Sequence, residues 1–171
     1  MTRFSFTLDY PLLPEQVRIM LTDKRYLHLR AQAFHCEVHD LQVTSDSKAT
    51  TTTLTVAPPD NLINPLLRAI IGKNFSFTLE ESWRPFGNTP CQGVATITTS
   101  SLGINFTATQ ILEPFGEKTK RLVEGNIIVK GDITGSIQRR IFDNIDKVRR
   151  AEHHAGIMYQ EKYGTPHSTT P

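Results

Sequence analysis

The chain has 171 residues, of which 19 are basic and 17 are acidic, so its formal net charge is only +2. So small a charge predicts no binding to nucleic acid and no attraction to an acidic membrane surface. No apolar run approaches the roughly 18 residues of a membrane span, and the polar N-terminal segment is unlike a signal peptide. We therefore expect a cytoplasmic protein, in which Cys36 and Cys91 are reduced thiols that form no disulfide framework.

The beginning of the chain predicts a strand followed by two short helices. Apolar and polar residues alternate over residues 3–10, as in a half-buried strand, and Pro11 ends the pattern. Pro14 suits the first turn of a helix because its missing N–H has no partner there in any case. Asp23 is placed to cap a second helix over residues 24–33, because its side chain can accept a free backbone N–H.

The middle of the chain predicts an antiparallel meander. The period changes to two, and the predicted strands are residues 34–44, 49–57, 74–84, 91–99, 104–112 and 121–130. Short separators rich in Gly, Pro, Ser and Asn divide most of them. Short connections between successive strands favour antiparallel neighbours.

A short apolar insert interrupts these strands. Asn64 can cap a helix that begins at Pro65, and Gly72 is placed to end it. So many apolar residues in so short a helix must pack on something or cover something. They are Leu66, Leu67, Ile70 and Ile71.

The last long segment, residues 132–163, predicts one amphipathic helix capped by Asp132 and stopped by Gly164. A single helix of this length is roughly 45 Å long at 1.5 Å per residue, enough to cross a sheet. Residues 164–171 are predicted to be a disordered tail. The apolar positions of the helix recur at spacings of three and four; they include Ile133, Ile137, Ile141, Phe142, Ile145, Val148, Ala151, Ala155, Met158 and Tyr159.

The order of these elements predicts a single α+β domain over residues 1–163. A curved antiparallel sheet of about seven strands, wrapped around the long C-terminal helix and with two short helices after the first strand, satisfies every pattern. No internal repeat and no long linker divides the chain.

An ordered set of short motifs, spread over about residues 3–160, carries a family resemblance. The set is Tyr10-Pro11, Pro14, Val17, Leu21-Thr22-Asp23, Tyr26-Leu27, the Pro65–Gly72 insert, Glu81, Trp83 and Gly125. In these residues the chain resembles the START-like (SRPBCC) helix-grip superfamily of polyketide aromatases/cyclases, lipid-transfer domains and ligand carriers of the birch-pollen-allergen type. Within that superfamily it is similar to an actinobacterial domain-of-unknown-function family.

The resemblance implies a cavity between the sheet and the long helix, with the insert near its mouth. In several relatives such a cavity receives a sterol, a lipid or a polyketide, and a concave apolar site suits a hydrophobic ligand. Alternatively, the same side chains simply fill the core. The residues expected at the cavity are Leu66, Leu67, Ile70 and Ile71 as a lid, Phe77, Leu79, Trp83, Phe106 and Ile127 on the wall, and Ile137, Ile141 and Ile145 on the helix.

Glu81 is the ionisable residue of most interest, because it falls on the apolar side of its strand. Desolvation there is expected to raise its pKa, which would suit proton transfer or the binding of a ligand hydroxyl. Alternatively it reaches water at the strand end, or pairs with Arg68 or Arg84. Gln110 has the parity of Phe106, so it too is expected to face inward.

No metal site or cofactor is predicted. His35 and His39 are about 13 Å apart on a strand, too far to share one ion. The adjacent pair His153-His154 points in two directions on a helix. No nucleophile elbow or phosphate loop is present, and the basic residues of the long helix alternate with acidic ones, as on a solvated face.

Three hypotheses follow. The first is a non-enzymatic carrier or sensor that encloses a hydrophobic small molecule, lipid, sterol-like or polyketide-like. The second is an enzyme of the cyclase or aromatase kind in which Glu81 or Gln110 directs proton transfer. The third is a protein-interaction module with a closed core. The first is favoured because no catalytic constellation stands out; the sequence carries no signal for oligomeric state.

Overall fold

A computed structural model of the protein describes residues 1–60, 65, 68–69, 72–87, 90–101, 103–132 and 135–167. The strands in these residues are β1 (Thr2–Tyr10), β2 (Glu37–Ser45), β3 (Thr50–Ala57), β4 (Phe77–Trp83), β5 (Cys91–Thr99), β6 (Ile104–Phe115) and β7 (Lys118–Val129). The longer helices are α1 (Pro14–Leu21), α2 (Lys24–Ala33), α3 (Ser136–Phe142) and α4 (Ile145–Tyr163).

The strands form one antiparallel sheet in the order β1-β7-β6-β5-β4-β3-β2. Each strand pairs with its neighbour in sequence, except that β1 pairs with β7, so β1 and β2 lie at opposite edges. The helices α1 and α2 connect these edges, and α4 packs on both α2 and β1. The predicted α+β helix-grip architecture is confirmed.

The C-terminal helix is confirmed in position, but it is bent, whereas the periodicity predicts one continuous helix over residues 132–163. It is divided into α3 and α4 at Asp143 and Asn144. The side chain of Asn144 donates a hydrogen bond of 2.7 Å to the carbonyl of Arg140. Side chains of this kind compete with the backbone for its partners and so favour a break in a helix.

The side chain of Asp132 caps the start of α3, although Asp132 lies several residues before that helix. Its Oδ2 atom accepts the backbone N–H groups of Ile137 at 2.9 Å and Gln138 at 3.0 Å. Gly135, with a φ of 67°, stands at the start of α3, a conformation that glycine adopts without steric cost.

The second strand begins later than its alternation predicts, at Glu37 instead of Phe34. The intervening residues finish α2: the N–H of His35 donates to Gln32 and that of Cys36 donates to Ala31. His35 has a φ of 55°, so a left-handed turn closes the helix where a glycine commonly stands. Strand β6 extends three residues beyond its predicted end and β7 begins three residues before its predicted start, because Gly116 permits a tight turn between them (φ 63°).

The predicted insert lies largely outside the described residues. Pro65, Arg68 and Ala69 are helical, and the N–H of Gly72 donates to the carbonyl of Arg68 at 2.9 Å. The cap Asn64 and the four apolar residues Leu66, Leu67, Ile70 and Ile71 are not among the described residues, so their role as a lid stays a prediction. In the part of the chain that is described, no helix is long and apolar enough to cross a bilayer.

Two apolar clusters pack between the sheet and the helices. The larger contains the buried faces of α1, α2 and α4 with Trp83, and its most completely buried members include Val17, Met20 and Leu27. The smaller lies near α3; its members are Phe4, Ile104, Val123, Ile127 and Val129, with Phe6, Phe106, Ala108, Ile137, Ile141 and Ile145 packed against it. Phe6 contacts both clusters.

Candidate functional site

A cavity of about 290 Å³ lies between the sheet and the helices α2 and α4. Six of the strands contribute to its walls, and both apolar clusters do so as well. The apolar lining consists of Phe4, Phe6, Ala31, Phe34, Leu54, Val56, Phe77, Leu79, Ala95, Ile97, Phe106, Ala108, Val123, Ile145 and Val148, together with Cys36.

Small residues keep this space open. Ala95, Ala108 and Gly125 are direct partners across β5, β6 and β7, and the two alanines line the cavity. A Cβ atom at Gly125 would lie only 2.7 Å from the Cζ atom of Phe4. Short side chains in one row across the inner face therefore leave a volume that longer ones would fill.

One end of the cavity is polar. Five side chains meet there, from α2, β4, β6, β7 and α4, and all of them are buried. We call this group the charged cluster: Arg30, Glu81, Gln110, Arg121 and Glu152. Residues of these types are seldom fully buried unless they are paired.

Glu81 is the most heavily bonded member of the charged cluster. Arg30 Nη1 donates to its Oε2 atom at 2.6 Å, and Gln110 Nε2 and Arg121 Nη2 donate to Oε1 at 2.8 Å and 3.2 Å. The partners suggested by sequence are wrong, because Arg68 pairs with Asp60 and Arg84 donates to Gln92. The actual partners come from elements that are distant in sequence.

Glu152 holds the other side of the cluster together. Its Oε2 atom accepts bonds from Arg30 Nη2 at 3.0 Å, from Arg121 Nη1 at 3.0 Å and from the Tyr26 hydroxyl at 3.1 Å. Arg121 Nη1 also donates to the hydroxyl of Tyr10 at 3.3 Å. Each arginine thus contacts both glutamates, and α4 is tied to α2 and to the sheet.

The charges within the cluster set its protonation state. Burial alone would raise the pKa of Glu81, but the nearby guanidinium groups of Arg30 and Arg121 outweigh it and hold that pKa at about 2. The expected increase in the pKa of Glu81 is therefore wrong. Burial tends to lower the pKa of both arginines, but the two carboxylates raise the pKa of Arg30 above its usual value, and Tyr10 together with the carboxylates does the same for Arg121. Glu81 and both arginines are consequently ionised at neutral pH.

Of the predicted site residues, six line this cavity: Phe77, Leu79, Glu81, Phe106, Gln110 and Ile145. Four do not, because they are used for packing: Trp83 belongs to the larger cluster, and Ile127, Ile137 and Ile141 to the smaller one. Leu66 and Ile70 lie outside the described residues. Contact of any of them with a ligand stays a prediction.

Sequence reasoning did not select Arg30, Arg121 or Glu152, although a signal for each is present. Arg30 is four residues after Tyr26, Arg121 has the strand parity of Val123, and Glu152 lies three residues before Ala155. Each therefore shares a face with a buried apolar residue. The solvated face predicted for the charged residues of the long helix is wrong for Glu152, which is buried.

The arrangement suits recognition better than acid–base chemistry. A carboxylate held ionised by three donors is poorly matched to proton transfer, which is most efficient when the pKa lies near the working pH. Among the described residues, no three His, Cys, Asp or Glu side chains are placed to hold a metal ion.

Solved structures with the same fold extend over nearly the whole chain. The TTHA0849 protein of Thermus thermophilus is 15% identical, with a TM-score of 0.57 over 92% of this chain and 98% of that one. The Zhui aromatase/cyclase of a Streptomyces species is 10% identical, with a TM-score of 0.57 over 94% of each chain. Norcoclaurine synthase of Thalictrum flavum is 11% identical, with a TM-score of 0.54 over 93% of this chain and 87% of that one. At such low identities the likeness establishes the fold alone.

No curated protein matches the sequence. A family of proteins does match it, from residue 5 to residue 156, which is most of the chain and includes every member of the charged cluster. The chain belongs to this family, described as Protein of unknown function (DUF2505).

Proposed function

We propose that this protein binds a small, largely apolar molecule in the cavity, as a carrier or sensor, with one polar end of that molecule against the charged cluster. The observation that carries the proposal is the division of the cavity into an apolar body and one buried, hydrogen-bonding end. Ligand sites of this kind are mostly apolar and use a few placed polar groups to orient the ligand.

The volume favours a compact ligand. The cavity of about 290 Å³ is at the lower end of the roughly 300–1,000 Å³ that is usual for ligand pockets. A molecule with one or two rings matches that space better than a full-length lipid or a sterol, unless the walls move. The proposal is thereby narrower than the range of ligands that the family resemblance implies.

A second candidate is an enzyme of the cyclase kind. It is supported by the fold shared with the Zhui aromatase/cyclase and norcoclaurine synthase, and by donors of Gln110 and Arg121 that lie at the cavity and can polarise a carbonyl. The low pKa of Glu81 weighs against the general-acid version of this hypothesis. Turnover by the wild-type protein that is lost in Gln110→Met, with ligand affinity kept within a few fold, would favour the enzyme over the carrier.

The carrier hypothesis is tested by native mass spectrometry with a cavity-filling variant. Ala95→Phe places a ring in the cavity, whereas Val94→Phe, one residue away on the exposed face, provides the matched control. We expect extra mass on freshly purified wild-type protein and on Val94→Phe, and none on Ala95→Phe.

If the protein is purified without a bound ligand, it can be titrated with a panel of small aromatic and alicyclic compounds. If none of them binds, or if Ala95→Phe binds as well as Val94→Phe, the carrier hypothesis is wrong. A closed core with no room for a ligand would favour the interaction module instead.

A further inference from the structure

We propose that the polar end of the ligand is a neutral hydrogen-bond acceptor, such as a ketone or aldehyde oxygen, and not a carboxylate or an amine. This inference rests on the proposed function and specifies the chemical class of its ligand. It follows from two properties of the charged cluster, its charge balance and its excess of donors.

The formal charges of the cluster cancel. Arg30 and Arg121 carry two formal positive charges, and Glu81 and Glu152 carry two negative ones, so the cluster is formally neutral. All four side chains are at most 7% exposed, and each arginine lies within 3.2 Å of both glutamates. No charge of the cluster is left over for a charged ligand to neutralise.

Some N–H groups of the charged cluster have no acceptor within it. Among the described residues, Arg30 Nη1, Arg121 Nη2 and Gln110 Nε2 each donate one hydrogen bond, to a Glu81 oxygen. Each of these nitrogens has two N–H groups, so one remains on each. The carboxylate oxygens are used unevenly: Oε1 of Glu81 and Oε2 of Glu152 each accept three bonds, whereas Oε2 of Glu81 accepts one and Oε1 of Glu152 lies 2.7 Å from Arg30 Nε.

These properties together select the ligand group. A carbonyl oxygen can accept the remaining N–H groups without adding charge. A carboxylate would bring one uncompensated negative charge into a buried, balanced site, and burial of an unpaired charge is costly. An ammonium group would likewise bring one uncompensated positive charge into the same balanced site.

The test uses four aromatic probes of similar size, which fit the volume of the cavity. Acetophenone carries the neutral carbonyl, isopropylbenzene has nearly the same shape without an acceptor, benzoate replaces the methyl group with a charged oxygen, and benzylamine supplies a cation. Affinities are measured at neutral pH by titrating the amide chemical shifts of the wild-type protein. We expect acetophenone to bind at least roughly tenfold more tightly than each of the other three.

A Gln110→Met variant removes one remaining donor at similar volume. It should reduce the advantage of acetophenone over isopropylbenzene while the affinity for isopropylbenzene changes by no more than a few fold. If the variant does not fold, the wild-type series decides the question. Equal binding of acetophenone and isopropylbenzene, or tighter binding of benzoate or benzylamine, overturns the inference and leaves the proposed function standing. Failure of all four probes to bind overturns the inference, and it overturns the proposed function as well if the freshly purified protein also carries no extra mass.

Discussion

Arg30 of α2 and Glu81 of β4 are joined by hydrogen bonds of 2.6 Å and 3.4 Å, and both side chains are 2% exposed. The pair connects a helix to the middle of the sheet at the polar end of the cavity. A buried ion pair is not by itself strong evidence for stability, but removing one partner leaves the other charge unpaired. The contribution of this ion pair can therefore be tested by substituting only one of its two residues.

Arg30→Met should destabilise the protein by about 3–5 kcal/mol, the usual cost of breaking a buried ion pair. Methionine keeps much of the side-chain volume, so the loss reflects one uncompensated negative charge, because Arg121 alone then contacts both Glu81 and Glu152. The measurement is urea unfolding at neutral pH. Arg150→Met is the control, because Arg150 pairs with Asp146 at the surface, with side chains 66% and 57% exposed, and little change is expected there. If the two substitutions lower the free energy of unfolding by the same amount, the buried network contributes no more to stability than a surface ion pair.

The low pKa of Glu81 predicts a dependence of stability on pH. Its folded pKa of about 2 lies below the ordinary value of 4.5, so this group stabilises the protein above about pH 4.5. As the pH falls toward 2, the unfolded chain takes up a proton that the folded protein does not bind, and the stabilisation is lost.

The measurement for this prediction is the free energy of unfolding of wild-type protein and Glu81→Gln from pH 6 to pH 2. The wild type should be the more stable at the upper end, by a few kcal/mol at about 1.4 kcal/mol per pKa unit. The difference should shrink through the acidic range, because only the wild type loses this contribution. A difference that is constant with pH would mean that Glu81 has an ordinary pKa.

Gly93 should not accept a side chain. Its backbone lies beneath the ring of Trp83, and a Cβ atom there would be 2.7 Å from Cε3 of the indole. Gly93→Ala is therefore expected to destabilise the protein by about 1–3 kcal/mol through overpacking. It should also shift the fluorescence of Trp83, the single tryptophan of the chain. Gly87→Ala, where nothing lies within 4 Å of the added atom, should change neither property; an unchanged spectrum in Gly93→Ala would show that the indole moves away freely.

Asp23 links the start of α2 to α4. Its side chain accepts the backbone N–H of Arg25 at 2.8 Å and the hydroxyl of Tyr159 at 2.7 Å. Asp23→Ala removes both bonds and should cost about 1–2 kcal/mol, as expected for loss of a helix cap. Tyr159→Phe keeps the cap and removes only the bonds of the hydroxyl, which donates to Asp23 and accepts from Arg25 Nη2 at 3.3 Å, so thermal unfolding should show a smaller loss. A larger loss in Tyr159→Phe would place the main contribution at α4 instead of at the cap.

The fold was largely predictable because its signals are local. Period-two alternation in residues 3–10 and 91–99, and the Asp23 cap, follow from contacts within a few residues, and these elements are found at the expected positions. The break at Asn144 was missed because the apolar spacing continues through it. The pattern of apolar residues records which face is buried and not whether the backbone bends.

The charged cluster was less predictable because it depends on long-range contacts. Glu81 was correctly placed on the inner face by its parity, but its pKa was assigned from burial alone. Arg30 is 51 residues away in the chain, and Arg121 is 40 residues away. A charge that compensates another one from so great a separation leaves no local pattern, so the sign of the pKa shift followed only from the structure.

A crystal structure of the protein saturated with acetophenone tests the central claim most directly. The probe should lie in the cavity with its ring among Leu79, Phe106 and Val123, and its oxygen within hydrogen-bond distance of Gln110 Nε2 or Arg121 Nη2. A probe bound elsewhere, or a cavity filled by the protein's own side chains at saturating probe, would contradict the assignment of this cavity as the ligand site.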